Sequence, residues 1–296
     1  MGINSNSGTE GVTPSLIKII IAVISACILF ICFNTIRADA ANKKVTKLAK
    51  PKFVAEAKYD SAATHPFDKQ TTQLIVRYKK VANAQKYQIY IKGGKYGSWT
   101  KIKTTKALKA KITGLKRGTT YKFKVRAVNG KVKSKFSATQ KLSTALMSYD
   151  KAGYEAICRI VYHEVGGMDG DMWDKPIVYV SDCVVNRYVA AKYKKIALWA
   201  TYYQYYNDVQ SMIYNSGNFM SEGGLAADGA VYSNVPERVK VAVYGALYNK
   251  AALKVIKNDS TIYYWCNRSY YQSDSRIAYS FQIPWGYFNI WTEYWG

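Results

Sequence analysis

One segment of the chain alternates between apolar and basic side chains, and it limits the local fold more than any other feature. Residues 121–128 (YKFKVRAV) place their odd-numbered apolar side chains on one face and Lys or Arg on the other. This period-2 alternation is typical of a strand with one buried face. Similar short segments between turn signals, at residues 74–78, 87–91 and 111–115, predict an antiparallel β-sandwich over residues 48–146.

The same segment carries a family resemblance. Residues 115–127 (LKRGTTYKFKVRA) resemble the corner between the fifth and sixth strands of fibronectin type III domains, with Tyr121 as the corner tyrosine. Residues 87–90 (YQIY) match that family's central strand, although Tyr78 stands where the second strand usually has tryptophan. The resemblance implies a binding or spacer module rather than a catalyst. His65 has no nearby set of metal ligands, and we expect it to be an ordinary loop residue.

Charge is distributed unevenly along the chain, and the break in charge predicts a domain boundary. Residues 41–150 hold 27 Lys or Arg and 4 Asp or Glu, a net charge of +23. Residues 151–296 hold 14 and 13, a net charge of +1. We therefore expect a second domain over residues 149–296. The basic domain predicts an acidic partner, with a merely solvated basic face as the alternative.

The first 40 residues have the pattern of an export signal. Lys18 precedes an uncharged apolar run, residues 19–33, which Ala38 and Ala40 follow in the small-residue pattern of a cleavage site. A retained membrane anchor is the alternative, although a helix of this length would span ~22 Å of a hydrocarbon core of ~30 Å. Both hypotheses place the rest of the chain outside the cell, as a secreted or cell-wall-associated protein.

The cysteine pattern does not predict a disulfide framework. Of five cysteines, Cys27 and Cys32 lie in the apolar run, which leaves Cys158, Cys183 and Cys266. An odd number at scattered positions favours buried free thiols. A single bridge between the first two of these three remains the alternative.

Glu164 is the candidate catalytic residue. A helix predicted over residues 151–165 places Ile157, Ile160, Val161 and Glu164 on one face. Burial on that apolar face and the partial negative charge of the helix C-terminus both disfavour an ionised carboxylate. A carboxyl that keeps its proton can act as a general acid. The alternative is a glutamate that points to solvent after the last helical turn.

The remaining C-terminal pattern predicts helices followed by strands, which is typical of an α+β domain. The β-branched content of residues 177–188 leaves a buried strand as the alternative to a helix there. An aromatic cluster occupies residues 199–206. We expect helices at residues 151–165 (capped by Asp150), 176–188, 208–213 and 236–248, and strands at residues 261–266, 278–283 and 287–291.

Taken together, these segments resemble the catalytic domain of SleB-type cell wall hydrolases, the spore cortex-lytic enzymes. Residues 156–167 (AICRIVYHEVGG) are similar to the family's opening helix, which carries its catalytic glutamate, and residues 184–187 (VVNR) to a helix that ends in Asn-Arg. Its later segments are similar to residues 209–213 with 217–219, to residues 239–247 with 259–266, and to residues 287–288. The sequence departs from the family at Met168, Asn218 and Gly286, where a second glutamate, a glutamine and a histidine are usual.

The resemblance implies cleavage of the β-1,4 bond between N-acetylmuramic acid and N-acetylglucosamine in peptidoglycan. It implies a lytic transglycosylase, in which Glu164 protonates the leaving oxygen and then takes the proton of the muramoyl C6 hydroxyl. Simple hydrolysis would need a second carboxylate, for which Asp169, Asp171 and Glu222 are the candidates. We expect the sugar contacts to be Tyr162, Asn186, Arg187, Asn218 and Phe219.

Other classes of function fit the sequence less well. A zinc protease motif at His163-Glu164 would need a second histidine at position 167, which is Gly167. A Cys-His peptidase is also excluded, because Cys158 and His163 point in different directions on one helix. We expect no cofactor, no metal, no nucleic acid partner and a monomer. On a bacterial surface the acidic partner of the basic domain would be an anionic wall polymer such as teichoic acid. The main alternative to an enzyme is a non-catalytic wall-binding or adhesive surface protein.

Overall fold

The structure is a computed structural model of the 296-residue chain. It divides into two compact units, residues 1–47 and residues 48–296. The predicted aromatic cluster and most of the predicted export signal lie outside the described residues. Within the described part of the chain, no helix has both the length and the apolar character needed to cross a bilayer. The described residues are 15, 22–27, 45–59, 62–166, 168–194, 208–250, 252–253 and 258–293.

The N-terminal part of the larger unit is a two-sheet β-sandwich, which lies almost wholly within the continuously described residues 62–166. Its strands are β1 Leu74–Arg77, β2 Lys86–Gly93, β3 Tyr96–Thr105, β4 Lys109–Ile112, β5 Thr120–Asn129, β6 Val132–Lys133 and β7 Gln140–Ser143. Strands β1 and β4 form one antiparallel sheet. The other sheet has the order β3-β2-β5-β6, and β7 also pairs with β5. The predicted all-β architecture is confirmed.

Strand β5 shows why the alternating pattern folds as it does. Its apolar side chains from Tyr121 to Ala127 are buried, and its Lys and Arg side chains lie on the opposite face. The Tyr121 hydroxyl accepts a hydrogen bond of 2.8 Å from the backbone N–H of Lys116, as a corner tyrosine does. Tyr78 is also buried, and its hydroxyl donates to the carbonyl of Ala107 at 2.8 Å. Both hydroxyls therefore have partners despite their burial.

The sandwich continues into the C-terminal part through a buried connection. Ala145, Met147 and Tyr149 have between 0% and 5% of their surface exposed. The backbone N–H of Leu146 donates to the carbonyl of Leu247 in the helical part at 2.7 Å. Because this connection is packed and hydrogen-bonded, it is not an exposed flexible linker.

His65 contributes to the same junction. It lies in a loop, as predicted, but the sequence did not indicate its burial, and the side chain is only 1% exposed. Its Nε2 lies 3.0 Å from the carbonyl oxygen of Ser143, and its Nδ1 lies 2.8 Å from the Tyr244 hydroxyl. Burial lowers the pKa of His65 to about 3, and the charge of Lys250 also lowers it. The imidazole is therefore neutral at neutral pH and bridges the two parts of the unit.

The C-terminal part contains helices followed by an antiparallel sheet, in the predicted order. The strand Gly286–Trp291 (β10) is central in this sheet, between Tyr264–Arg268 (β8) and Ile277–Ile283 (β9). Cys158 and Cys183 are buried, and no disulfide joins them. The helices are α1 Lys151–Val161, α2 Asp174–Val189, α3 Val209–Asn215, α4 Glu222–Ala227 and α5 Glu237–Leu247, and the strands are β8 Tyr264–Arg268, β9 Ile277–Ile283 and β10 Gly286–Trp291.

Helix α2 confirms the predicted helix over the alternative of a buried strand, whereas strand β8 begins later than expected. Helix α2 is a helix despite its β-branched residues, because every residue from 176 to 189 is buried and packing overrides intrinsic propensity. Strand β8 begins three residues later than predicted. The carboxylate of Asp259 accepts hydrogen bonds from the backbone N–H and the hydroxyl of Thr261, at 2.8 and 2.6 Å, and this turn delays the strand.

Asp182 is a carboxyl buried in helix α2, with 3% of its surface exposed. It accepts hydrogen bonds from the Asn258 side-chain amide and from the backbone N–H of Asp259, both at 2.8 Å. Burial raises the pKa of Asp182 to about 8, although these two hydrogen bonds act in the opposite direction. The group therefore makes stability depend on pH in a range where few other side chains titrate.

We predict that the free energy of unfolding falls between pH 6.5 and pH 8 and that Asp182→Asn abolishes this fall. A carboxyl with a raised pKa binds more protons in the folded state, so stability decreases as pH rises toward the folded pKa of about 8. His65, whose pKa is lowered from 6.5, acts in the opposite sense but only below pH 6.5. The slope should be at most about 1.4 kcal/mol per pH unit. Urea denaturation of both proteins at the two pH values measures it, and equal slopes would contradict the prediction.

Candidate active site

Glu164 lies on a π-helical turn that continues helix α1. Ile157, Ile160 and Val161 are fully buried, as predicted, but the helix then widens into the π-helical turn Tyr162–Gly166. A π turn holds more residues than an α turn, so the α-helical periodicity no longer gives the face on which Glu164 lies. The side chain is accordingly half-buried rather than part of the buried stripe.

The turn also packs tightly against helix α5. A Cβ atom at Gly166 would lie 2.6 Å from Cγ2 of Val239, which is closer than Cβ contacts in proteins. Glycine at this position therefore lets the turn approach α5.

Trp265 of strand β8 holds the carboxyl of Glu164. Its indole Nε1 donates a hydrogen bond of 2.8 Å to Oε2 of Glu164. An indole N–H can donate but not accept, so Oε2 is the acceptor and the carboxyl is oriented by this bond. This bond does not use the other carboxyl oxygen, Oε1, which is the oxygen that could donate a proton to a substrate. Trp265 was not among the predicted site residues and lies 101 positions from Glu164, although the run of three aromatic residues at 263–265 in a predicted strand was a usable signal.

Arg187 and Phe219, two of the predicted sugar contacts, surround Trp265. The rings of Phe219 and Trp265 are stacked, with centroids 6.3 Å apart. The guanidinium carbon of Arg187 lies 5.0 Å from the Phe219 centroid and 4.8 Å from the Trp265 centroid. Its Nε donates to the carbonyl of Tyr263 at 2.6 Å. The structure therefore groups Glu164, Trp265, Phe219 and Arg187, with the arginine almost wholly buried.

Asn186 is tied to the backbone that leads into β8. Its side-chain amide donates to the carbonyls of Asp259 and Ile262, each at 2.9 Å, and the residue is buried. Since these two bonds use both amide hydrogens, the amide oxygen is the atom that a sugar could still contact.

Tyr162 and Asn218 are both half-buried. Tyr162 packs against the core from the π-helical turn. The backbone N–H and side-chain amide of Asn218 donate to the hydroxyl of Ser216, at 3.2 and 3.3 Å. Gly217 between them has a φ of 73°, a left-handed conformation that glycine adopts without strain. The loop therefore presents Asn218 and Phe219 next to each other.

The candidate second carboxylates have different surroundings. Asp169 and Asp171 are exposed in the segment after the π-helical turn. Glu222 forms an ion pair with Arg159, with 3.0 Å between Oε1 and Nη1. Within the described residues, no group of three or more His, Cys, Asp or Glu side chains could hold a metal ion.

A cavity of about 320 Å³, which no sequence pattern indicated, lies beside helix α1. Its lining includes Glu155, Arg159, Tyr214, Glu222 and Tyr232, but not Glu164. Arg159 is held there by the Tyr214 hydroxyl at 2.8 Å as well as by Glu222. The ion pair between Arg159 and Glu222 thus lines a cavity that does not include Glu164.

Comparisons with known proteins identify the sandwich. Residues 65–141 match the model of the fibronectin type III domain, which confirms that part of the prediction. No curated protein matches the chain. The matched range ends within β7, so the match does not cover the C-terminal part of the chain.

Several solved structures are similar to this chain. A human fibronectin type III domain containing protein 3 has a domain that is 20% identical, with 35% of this chain and 91% of that chain covered and a TM-score of 0.27. An Fn3-like protein from Clostridium thermocellum is 22% identical, with 33% and 93% covered and a TM-score of 0.26. The twitchin kinase region from C. elegans is 18% identical, with 36% covered and a TM-score of 0.29, and this chain covers only 18% of its length.

We predict that Glu164→Gln preserves stability whereas Glu164→Leu does not. Glutamine keeps an oxygen that can accept the hydrogen bond from Trp265, but leucine leaves that partly buried N–H without its acceptor. The leucine variant should lose about 1–3 kcal/mol of unfolding free energy, as expected for an unsatisfied donor. Chemical denaturation of both variants and the wild type measures this difference. Equal stabilities of the two variants would show that the indole bond contributes nothing.

Proposed function

We propose that this protein cuts the glycan strands of peptidoglycan between N-acetylmuramic acid and N-acetylglucosamine, with Glu164 as general acid and base. The observation that carries the proposal is the hydrogen bond from Trp265 Nε1 to Glu164 Oε2, because it orients a half-exposed carboxyl. The resemblance of residues 156–167 to the glutamate-bearing helix of SleB-type hydrolases supports the same role.

The chemistry follows from which oxygen carries the proton. With Oε2 accepting from the indole, the proton of the neutral acid resides on Oε1. Oε1 protonates the glycosidic oxygen as the bond from the muramoyl C1 to that oxygen breaks. The resulting carboxylate then removes the proton of the muramoyl C6 hydroxyl, whose oxygen bonds to C1. The product is a 1,6-anhydro ring, and the proton returns to Glu164.

A transglycosylase needs only one carboxyl, and the surroundings of the other candidates favour this route over hydrolysis. Glu222 is engaged by Arg159 and lines a cavity that does not include Glu164. Asp169 and Asp171 are exposed, and an exposed carboxylate is a weak partner for a reaction that needs a positioned base.

The aromatic side chains next to the acid suit a sugar substrate. Phe219 and Trp265 present stacked rings beside Glu164, and sugar rings pack their C–H faces on such surfaces. Arg187 lies against both rings and donates to the backbone of Tyr263, so its main effect is to position Trp265. Asn218 and Tyr162 are the partly exposed polar residues on which further sugar contacts would fall.

We further propose that the protein acts outside the cell and that its basic sandwich binds anionic wall polymers. The net charge of +23 over residues 41–150 supports this partner. The same charge and the fibronectin type III match at residues 65–141 also support the second candidate function, a wall-binding or adhesive protein without catalytic activity.

Digestion of purified peptidoglycan separates these functions. The full chain should release anhydro-muropeptides, detected by mass spectrometry, and Glu164→Gln should slow release by at least ~100-fold, the usual minimum for loss of an acid–base group. Asp169→Asn and Asp171→Asn, each of which removes a nearby exposed carboxyl, should retain activity. Products with reducing ends would favour a hydrolase. Wall binding without release by any of the proteins would favour the adhesive function, and undiminished release by Glu164→Gln would exclude the proposed acid.

A further inference from the structure

Three lysines lie side by side across the solvent-facing side of the larger sandwich sheet. Lys92 of β2 is directly opposite Lys122 of β5, and Lys122 is directly opposite Lys141 of β7. All three are exposed, whereas their strand neighbours Ile91, Tyr121, Phe123 and Leu142 are buried. We call Lys92, Lys122 and Lys141 the lysine row.

Such a row opposes the stability of the sheet. Residues directly opposite in an antiparallel pair have Cβ atoms roughly 4.5–5.5 Å apart, and like charges there are destabilising. Sequence neighbours do not relieve the repulsion, because residues 69–149 contain 21 Lys or Arg and no Asp or Glu. The other sheet has a single pair of opposed like charges at its end, where Arg77 is directly opposite Lys109. A bound polyanion would remove this repulsion.

A second row of side chains lies beside the first on the same face. Tyr90 of β2 is flanked by Lys101 of β3 and Lys124 of β5. Lys124 Nζ lies 4.3 Å from the ring centroids of both Trp99 and Phe136. Cation–π attraction to these two rings holds the Lys124 ammonium group in place. The second row lies two residues along the strands, roughly 6.8 Å from the lysine row.

We propose that this face binds a linear polymer of polyol units joined by phosphodiesters, the chemistry of teichoic acids. Repeated single negative charges on a flexible chain complement rows of cations on a flat sheet, where each lysine can contact one phosphate. Single-stranded nucleic acid is a poorer fit, because its bases need open aromatic faces and here Lys124 and Arg126 lie over the Tyr90 and Phe136 rings. The inference rests on the proposed location at the cell wall, but not on cleavage.

Binding of labelled poly(glycerol phosphate) to the full chain, carrying Glu164→Gln to prevent cleavage, tests this inference. The test variant is Lys92→Gln/Lys122→Gln/Lys141→Gln. The control variant, Lys79→Gln/Lys80→Gln/Lys109→Gln, removes the same charge near β1 and β4, where the three lysines are also exposed. Affinity is measured over a series of salt concentrations, with single-stranded DNA and phosphatidylglycerol vesicles as separate arms.

The test variant should bind the polymer at least ~10-fold more weakly at low salt. The slope of its plot of log affinity against log salt should be shallower by about 2, because three phosphate contacts are lost and each contributes about 0.7 to the slope. The control should change much less. Without ligand, the test variant should have a Tm about 1–3 °C higher, because the repulsion is gone. Equal weakening in test and control, or tighter binding to DNA or vesicles than to the polymer, would overturn the inference. Cleavage of polymer-free peptidoglycan by the test variant with Glu164 restored should be unchanged, so failure of binding and failure of catalysis are distinguishable.

Discussion

The position of the candidate acid depends on how the buried helix α2 is bonded to the chain that enters strand β8. Asn186 donates to the carbonyls of Asp259 and Ile262, and the neighbouring Arg187 donates to the carbonyl of Tyr263. These three bonds satisfy backbone carbonyls of the segment that precedes the strand. Because β8 is fixed in this way, Trp265 is delivered to Glu164. The Asn-Arg pair therefore acts on the site through the backbone of another segment.

This arrangement explains why sequence patterns indicate Glu164 as a candidate acid but do not indicate which residues surround it. Periodicity over α1 is local, so Ile157 and Val161 could be placed in the core and Glu164 near it. The π-helical turn arises where Gly166 packs against α5, a contact between distant segments that no local pattern encodes. Trp265 is similarly brought in by tertiary structure. The position of Glu164 near the core was thus accessible from sequence, whereas the bond from Trp265 that orients its carboxyl was not.

The sandwich was more predictable than the helical part, and its chemistry shows why. In β5 the alternation of apolar and basic residues and the corner hydroxyl of Tyr121 are both local devices, so they identify strand, register and family together. The burial of His65 was not predicted because it depends on Tyr244, which is distant in the sequence. Helix α2 was ambiguous for the related reason that complete burial removes the amphipathic signal by which a helix is recognised.

The buried junction also has a consequence for how the two parts could work together. A flexible linker would let a wall-bound sandwich and a catalytic part move independently, with an effective concentration set by linker length. Here residues 145–149 are packed, and His65 in the sandwich contacts Tyr244 of α5. The lysine row and Glu164 are consequently parts of one compact unit, residues 48–296. A polymer held on the sheet face would then fix where the acid can reach on the neighbouring glycan. Binding would select the site of cleavage as well as raise the local concentration of enzyme.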